Sequence, residues 1–300
     1  MNRLPLLLYV PGLRAKPPPR THRRELWRCL LEGVRRIDEP TASELHEHAN
    51  CFDVASWTYD FYGEHRDVAL DLLDIERLLQ QHEATPEDIA GATSPRRRIL
   101  RWLYHLADYL PFLIPQVADE KIELHLRDLR RYVHNESEIA DAVRRLVKLP
   151  LRAAAASGRP ILLIGHSMGS VIAFDALWQL SHESGEGVHV DLFMTIGSPL
   201  GQRTIQRRLK GATEQGLCRY PGNIRRWVNL AAYGELTAID MNLRNDFADM
   251  IQLGLIESIE DFAVFNYFRS NGELNVHAEY GYLVNETCAT LVRDWWRIVV

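Results

Sequence analysis

The feature that most constrains this 300-residue chain is a short apolar run ending in a glycine-flanked serine. Ile161-Leu162-Leu163-Ile164 leads into Gly165-His166-Ser167-Met168-Gly169, and the small and apolar Ser170, Val171, Ile172, Ala173 and Phe174 follow. The bare G-x-S-x-G pattern is weak, because it arises by chance about 0.1 times in a chain of this length. Its context carries the weight. The aliphatic run reads as a strand buried on both faces, and the segment after Gly169 reads as an apolar helix. A strand that turns straight into a helix leaves the serine on a tight, strained turn. Side chains two positions to either side would collide with neighbouring backbone, and glycines at 165 and 169 remove that collision. The same turn aims the N–H of Met168, at a helix start, toward whatever the serine hydroxyl attacks.

The rest of the chain alternates strand-like and helix-like segments. Leu4–Val10, Cys51–Tyr59, Ile161–Ile164, Asp191–Ile196 and Arg226–Ala232 are the expected strands. Thr21–Arg36, Ser137–Ala156 (with Ser137 as its cap) and Val284–Arg297 are expected helices. This order predicts an α/β fold over residues 1–300, a mostly parallel sheet flanked by helices. From about Tyr62 to Asn135 the pattern is helical only, with candidates at Val68–Gln81, after Ser94-Pro95 and at Lys121–Tyr132. Residues 62–135 are therefore expected to form a helical cap or lid inserted between two strands.

Composition narrows the function classes. With 46% hydrophobic and 25% charged residues, the chain is neither disordered nor a coiled coil. Its net charge of −5 argues against nucleic-acid binding through bulk positive charge. Cys29, Cys51, Cys218 and Cys288 are scattered, without paired spacing. They read as reduced, mostly buried thiols in a reducing, cytoplasmic setting. The longest apolar runs are strand-length, too short to span a membrane. Leu4–Val10 is expected to be a buried first strand rather than part of a signal peptide, because Pro17-Pro18-Pro19 follows it and no small-residue cleavage site does.

In its G-H-S-M-G form, the serine turn resembles the nucleophile elbow of the α/β-hydrolase superfamily, of the esterase and lipase kind. The resemblance implies a serine hydrolase of carboxylic esters, lipid-like acyl esters among them, with Ser167 as nucleophile and no metal or organic cofactor. It also implies a triad in the chain order Ser, acid, His. Three histidines follow Ser167. His182 ends the helix after the elbow, and His189 precedes a strand at its N-terminal side. His277, in Asn275-Val-His277-Ala-Glu-Tyr280, lies just before the last helix and resembles the superfamily's His loop. An imidazole is needed there because serine is a poor nucleophile until a near-neutral base takes its proton. The acid should follow Arg226–Ala232. Glu235 and Asp240 both qualify: Glu235 stands where the superfamily's Gly-Asp turn puts its acid, and Asp240 is the commoner residue type. Met168 and Leu13 N–H groups are the implied oxyanion donors. Pro11-Gly12 replaces the more usual His-Gly, and Gly12 permits close backbone approach. Thr195-Ile-Gly-Ser-Pro-Leu200 resembles the Gly-Ser-Pro segment of lipase-like hydrolases and is expected to shape the pocket rim.

Other readings weigh less. His46, His48 and Cys51 fit no standard zinc spacing. Gly185-Glu-Gly187 lacks the third glycine of a dinucleotide fingerprint. Arg14 is either a solvated side chain or a contact for an anionic substrate group. Arg96-Arg97-Arg98 and Arg101 precede an apolar, aromatic stretch running to Ile114, so residues 95–115 form either a cap over the site or an interfacial lid in peripheral contact with a membrane. The elbow alone does not separate hydrolysis from acyl transfer or thioester cleavage. A catalytically silent binding module of the same fold is the remaining class.

Overall fold

A computed structural model describes residues 4–109, 127–128, 130–182, 187–238 and 240–300, with the side chains of 104–109 left out. The sheet has six strands, all parallel, in the order β2-β1-β3-β4-β5-β6. They are β1 (Leu6–Val10), β2 (Phe52–Val54), β3 (Ile161–His166), β4 (Val190–Ile196), β5 (Ile224–Ala232) and β6 (Ser258–Val264). The chain runs outward from β1 to β2, then returns to place β3 on the other side of β1. That reversal opens a crevice beyond the carboxyl ends of β1 and β3, where open α/β sheets hold their sites.

Each central strand is apolar on both faces because both faces are covered. Leu6, Leu8 and Val10 pack on one side with Leu163, Phe193 and Trp227. Leu7 and Tyr9 pack on the other with Leu162, Ile164, Met194 and Val228. The first face is covered by α7 (Ile139–Ala156) and α8 (Met168–His182). The second is covered by α1 (Pro19–Ile37) and the C-terminal α10 (Glu286–Val299). This architecture is α/β-hydrolase-like, as the serine turn implies.

Between β2 and β3 the described elements are helical. They include α3 (Thr58–Tyr62), α4 (Ala69–Gln80), α5 (Pro86–Ala92) and α6 (Pro95–Tyr109). Thr85 and Asp88 close a capping box on α5, and Ser94 Oγ accepts from Arg97 N–H at the start of α6. A short hairpin, β7 (Arg269–Ser270) and β8 (Glu273–Leu274), precedes the one-turn helix α9 (Glu279–Leu283). Of the expected helix at 121–132, residues 121–126 and 129 lie outside the described residues, as do 110–114 of the apolar stretch and Gly185 of the Gly-x-Gly loop.

Three expectations are corrected. The second strand is Phe52–Val54 alone, not Cys51–Tyr59. Beyond it, Trp57 Nε1–H donates to the Pro11 carbonyl and Trp57 packs edge-on to Phe61, so the aromatic run turns into α3 with Trp57 and Phe61 on one face. β6 was not expected as a strand. It is an edge strand whose Glu260 and Asp261 bond to Arg226 and Asn229 of β5, so it lacks a continuous apolar run. Ser137 does not cap α7. It has φ of +54°, and Asn135 Oδ1 accepts from Ala140 and Asp141 N–H instead.

Candidate active site

Ser167 sits between β3 and α8 with φ of +52°, the strained turn expected at the elbow. Its N–H donates to the Ile196 carbonyl, and its carbonyl accepts from Ser170 N–H and Ser170 Oγ–H. The flanking glycines are needed for packing. A Cβ at Gly165 would stand 2.6 Å from Ser170 Cα, and one at Gly169 would stand 2.1 Å from the Val10 carbonyl oxygen. A Cβ at Gly12 would lie 2.8 Å from Ser167 Cβ, so the loop after β1 is packed directly on Ser167. In that loop Arg14 N–H is taken by Tyr62 Oη, and Arg14 itself is exposed with φ of +75°. Leu13 N–H and Met168 N–H have no acceptor among the described residues.

The structure brings Ser167, His277 and Glu235 together. His277 Nε2 lies 2.9 Å from Ser167 Oγ. Its Nδ1 meets Glu235 Oε1 in a close hydrogen bond. Glu235 follows β5 on a turn made by Tyr233 and Gly234, the latter with φ of +78°, and its N–H returns to the Ala232 carbonyl. The carboxylate is buried, at 1% exposure. Its second oxygen, Oε2, accepts from the buried Tyr282 hydroxyl and, at 3.4 Å, from Ala232 N–H. Burial and the adjacent Glu235 charge raise the Tyr282 pKa well above the ordinary phenol value, so the phenol stays a donor. Asp240 is not at this contact: its Oδ1 accepts from Asn242 N–H, and its Cβ lies near Gly201.

Sequence reasoning missed several neighbours. Gly197 is more than a rim residue: with φ of +56°, a Cβ there would lie 2.7 Å from Glu235 Oε1 and 3.1 Å from His277 Nδ1. His166, next to Ser167, donates from Nε2 to the His277 carbonyl at 2.9 Å. Its Nδ1 is buried without a hydrogen-bond partner among the described residues. Burial, reinforced by His277, lowers its pKa to about 3, so the ring is neutral. Glu279, two residues after His277, is a buried hub that accepts from Tyr9 Oη, Lys16 Nζ and His22 Nε2 at 2.8–3.0 Å. Burial works to raise its pKa, but Lys16 and His22 outweigh it and hold the carboxyl well below its ordinary range. Lys16 thereby ties the loop after β1 to the His loop. The sequence signal for Glu279 and Tyr282 is their place just after His277 in one short helix, whereas nothing local marks His166 and Gly197.

Among the described residues, no group of three or more His, Cys, Asp or Glu side chains is placed to hold a metal ion. No described helix is long and apolar enough to cross a membrane. All four cysteines are free, three of them buried and Cys218 exposed.

A serine hydroxyl, an imidazole and a buried carboxylate in line are groups that can carry out acyl transfer. Comparison with known proteins bears on part of this. The family model for lecithin:cholesterol acyltransferase matches residues 119–217, which include β3, the Ser167 turn, α8 and β4 but not Gly12, Glu235 or His277. No curated protein and no solved structure matches the chain. The likeness therefore rests on the part of the sheet around Ser167.

Proposed function

We propose that this chain is a serine hydrolase of carboxylic esters, with lipid-like acyl esters as its substrate class. The observation that best supports this reading is the 2.9 Å approach of His277 Nε2 to Ser167 Oγ, with Glu235 against the far side of the same imidazole. Ser167 Oγ attacks the ester carbonyl while His277 Nε2 takes its proton. Glu235 orients the ring through Nδ1–H and stabilises the imidazolium without taking the proton. Met168 and Leu13 N–H groups donate to the tetrahedral oxyanion, and losing one such donor costs roughly 10²–10³ in rate. The intermediate collapses, His277 returns the proton to the leaving alcohol, and the acyl group stays on Ser167. A water deprotonated by His277 then attacks the acyl carbon. The carboxylic acid leaves, and Ser167 regains its proton.

The helices inserted between β2 and β3 form the cap in this reading, and α6 carries its lipid-facing side. Ile99 and Trp102, three residues apart, are 60% and 63% exposed, beside the solvent-facing Arg96 and Arg98. The enzyme makes peripheral contact with a lipid surface from the cytoplasm, a setting that suits its buried free thiols Cys29, Cys51 and Cys288. A second reading, transfer of the acyl group to a lipid alcohol in place of water, is favoured by the family match over residues 119–217.

A panel of acyl esters and phospholipids, assayed with and without a competing alcohol, tests both. Release of free acid that disappears in Ser167→Ala supports hydrolysis. Dominant formation of a new ester moves the assignment to acyl transfer. Full ester turnover in Ser167→Ala rules out both.

A further inference from the structure

Arg97, on the first turn of α6, reaches two carbonyls in two different loops. Its Nη1 donates to Gly234 O at 3.2 Å and its Nη2 to Leu274 O at 2.9 Å. Gly234 immediately precedes Glu235. Leu274 ends β8, three residues before His277. The guanidinium thus bridges the loop that carries the carboxylate and the loop that carries the imidazole. Arg97 is half-buried while Arg96 and Arg98 face solvent, and no carboxylate pairs with it among the described residues. Burial, together with the like charge of Arg96, lowers its pKa. A cation is therefore partly desolvated against two neutral carbonyls, an arrangement that needs a geometric reason rather than an electrostatic one.

The surroundings supply that reason. A Cβ at Gly234 would stand 2.2 Å from the Ala92 carbonyl and 3.1 Å from Arg97 Cδ, so the joint between α5 and α6 is seated backbone-to-backbone on the turn before Glu235. A Cβ at Gly91 would stand 3.0 Å from the Leu274 side chain. Segment 91–97 is wedged between the two loops, and Arg97 ties it to both.

We propose that Arg97 is a positioning residue that fixes the Glu235 turn and the His277 loop relative to each other, so that the carboxylate–imidazole contact depends on α6 being seated. This rests on the serine-hydrolase reading for its effect on rate. The planar fork matters: guanidinium spans two acceptors at once, whereas an ammonium reaches one. Where Glu235 drifts from His277, the imidazolium loses its support. The plateau rate then falls, and the acid limb of the kcat profile moves to lower pH because the base is less readily protonated. A misplacement of about 1 Å in such a pair costs on the order of 100-fold.

The test compares the full-length wild type with Arg97→Met and Arg97→Lys in two measurements. The first is the pH profile of kcat and KM on a soluble p-nitrophenyl ester. The second is the low-field proton resonance of His277 Nδ1–H, assigned by its loss in His277→Ala, which needs no turnover. Arg97→Met is expected to lower kcat roughly 100-fold with KM within about twofold, to shift the acid limb down, and to move or broaden the resonance. Arg97→Lys is expected to fall between, and is the variant to read if Arg97→Met does not fold. Wild-type kcat with an unmoved resonance in either variant overturns the proposal and leaves the hydrolase reading intact. A moved resonance in a protein whose wild type turns over no ester keeps the positioning role and removes the hydrolase reading.

Discussion

The Tyr282 hydroxyl stands directly behind Glu235, donating to Oε2 of the carboxylate whose Oε1 meets His277 Nδ1. The same phenol oxygen accepts the Ala232 N–H at 2.8 Å, so one buried side chain joins the end of β5, the carboxylate and α9. Among the described residues, no Lys or Arg forms an ion pair with Glu235. These donors satisfy the hydrogen-bonding capacity of its buried oxygens.

Removing that hydroxyl should therefore cost both stability and rate. Tyr282→Phe leaves the Ala232 N–H and Glu235 Oε2 with only their long 3.4 Å contact to each other. A destabilisation of about 1–3 kcal/mol is expected for the unsatisfied buried groups. The rate is expected to fall roughly tenfold, as for loss of one orienting hydrogen bond of ordinary strength. Urea unfolding together with kcat on a soluble ester checks both, and unchanged values would remove Tyr282 from the supporting structure.

Gly197 should tolerate no side chain. Its φ of +56° disfavours any L-residue, and the added Cβ would meet Glu235 Oε1 and His277 Nδ1. Gly197→Ala is expected to fold with about 1–2 kcal/mol less stability and to lose on the order of 100-fold in kcat. A crystal structure of the variant should show Glu235 displaced from His277. An undisturbed pair with full activity would contradict this.

His166 predicts an acid-labile fold. Its pKa falls from 6.5 to about 3 on folding, so between those values the unfolded chain takes up a proton that the folded chain refuses. Stability therefore rises with pH across that window, by up to ~1.4 kcal/mol per pH unit, and is lost as pH falls below about 6.5. Glu279, with its depressed pKa, adds a second loss only below its ordinary carboxylate range. His166→Gln keeps a donor for the His277 carbonyl but cannot titrate. Urea midpoints measured from pH 7 to pH 4 should slope steeply in wild type and less in His166→Gln. Equal slopes would show that another group takes up the proton.

Much of this was legible from residues alone, for identifiable reasons. β1 and β3 are covered on both faces and show long apolar runs, and β4 and β5 are mostly apolar, interrupted by Asp191 and Thr195 and by Arg225, Arg226 and Asn229. β6 is an edge strand with Glu260 and Asp261 facing its neighbour's polar side chains, which hides it. Ser167 was readable because its turn forces glycine two positions to either side. His277 was readable from chain order. Glu235 and Asp240 were not separable, since both follow β5 within one loop. What distinguishes them is the tight Tyr233-Gly234 turn, which keeps Glu235 at the strand end while Asp240 goes on toward Gly201. Tyr282, Gly197 and Arg97 act through contacts between residues 38 to 177 positions apart, and no local pattern records those.

The exposed pair on α6 predicts lipid binding. Trp102→Ala and Ile99→Ser remove apolar surface that is 60–63% exposed and makes little of the core. Both should leave unfolding unchanged within about 0.5 kcal/mol while weakening cosedimentation with phospholipid vesicles. Absence of vesicle binding in wild type, or equal binding in the variants, would remove the membrane contact.

The central claim is that Ser167 is activated by His277 backed by Glu235. Fluorophosphonate labelling of the purified protein, with the adduct mapped by mass spectrometry, tests it most directly. The adduct is expected on Ser167 in wild type and in Asp240→Asn, to be lost in His277→Ala, and to form far more slowly in Glu235→Gln. An unlabelled Ser167 in wild type, or labelling that persists at the same rate in His277→Ala, would contradict the account.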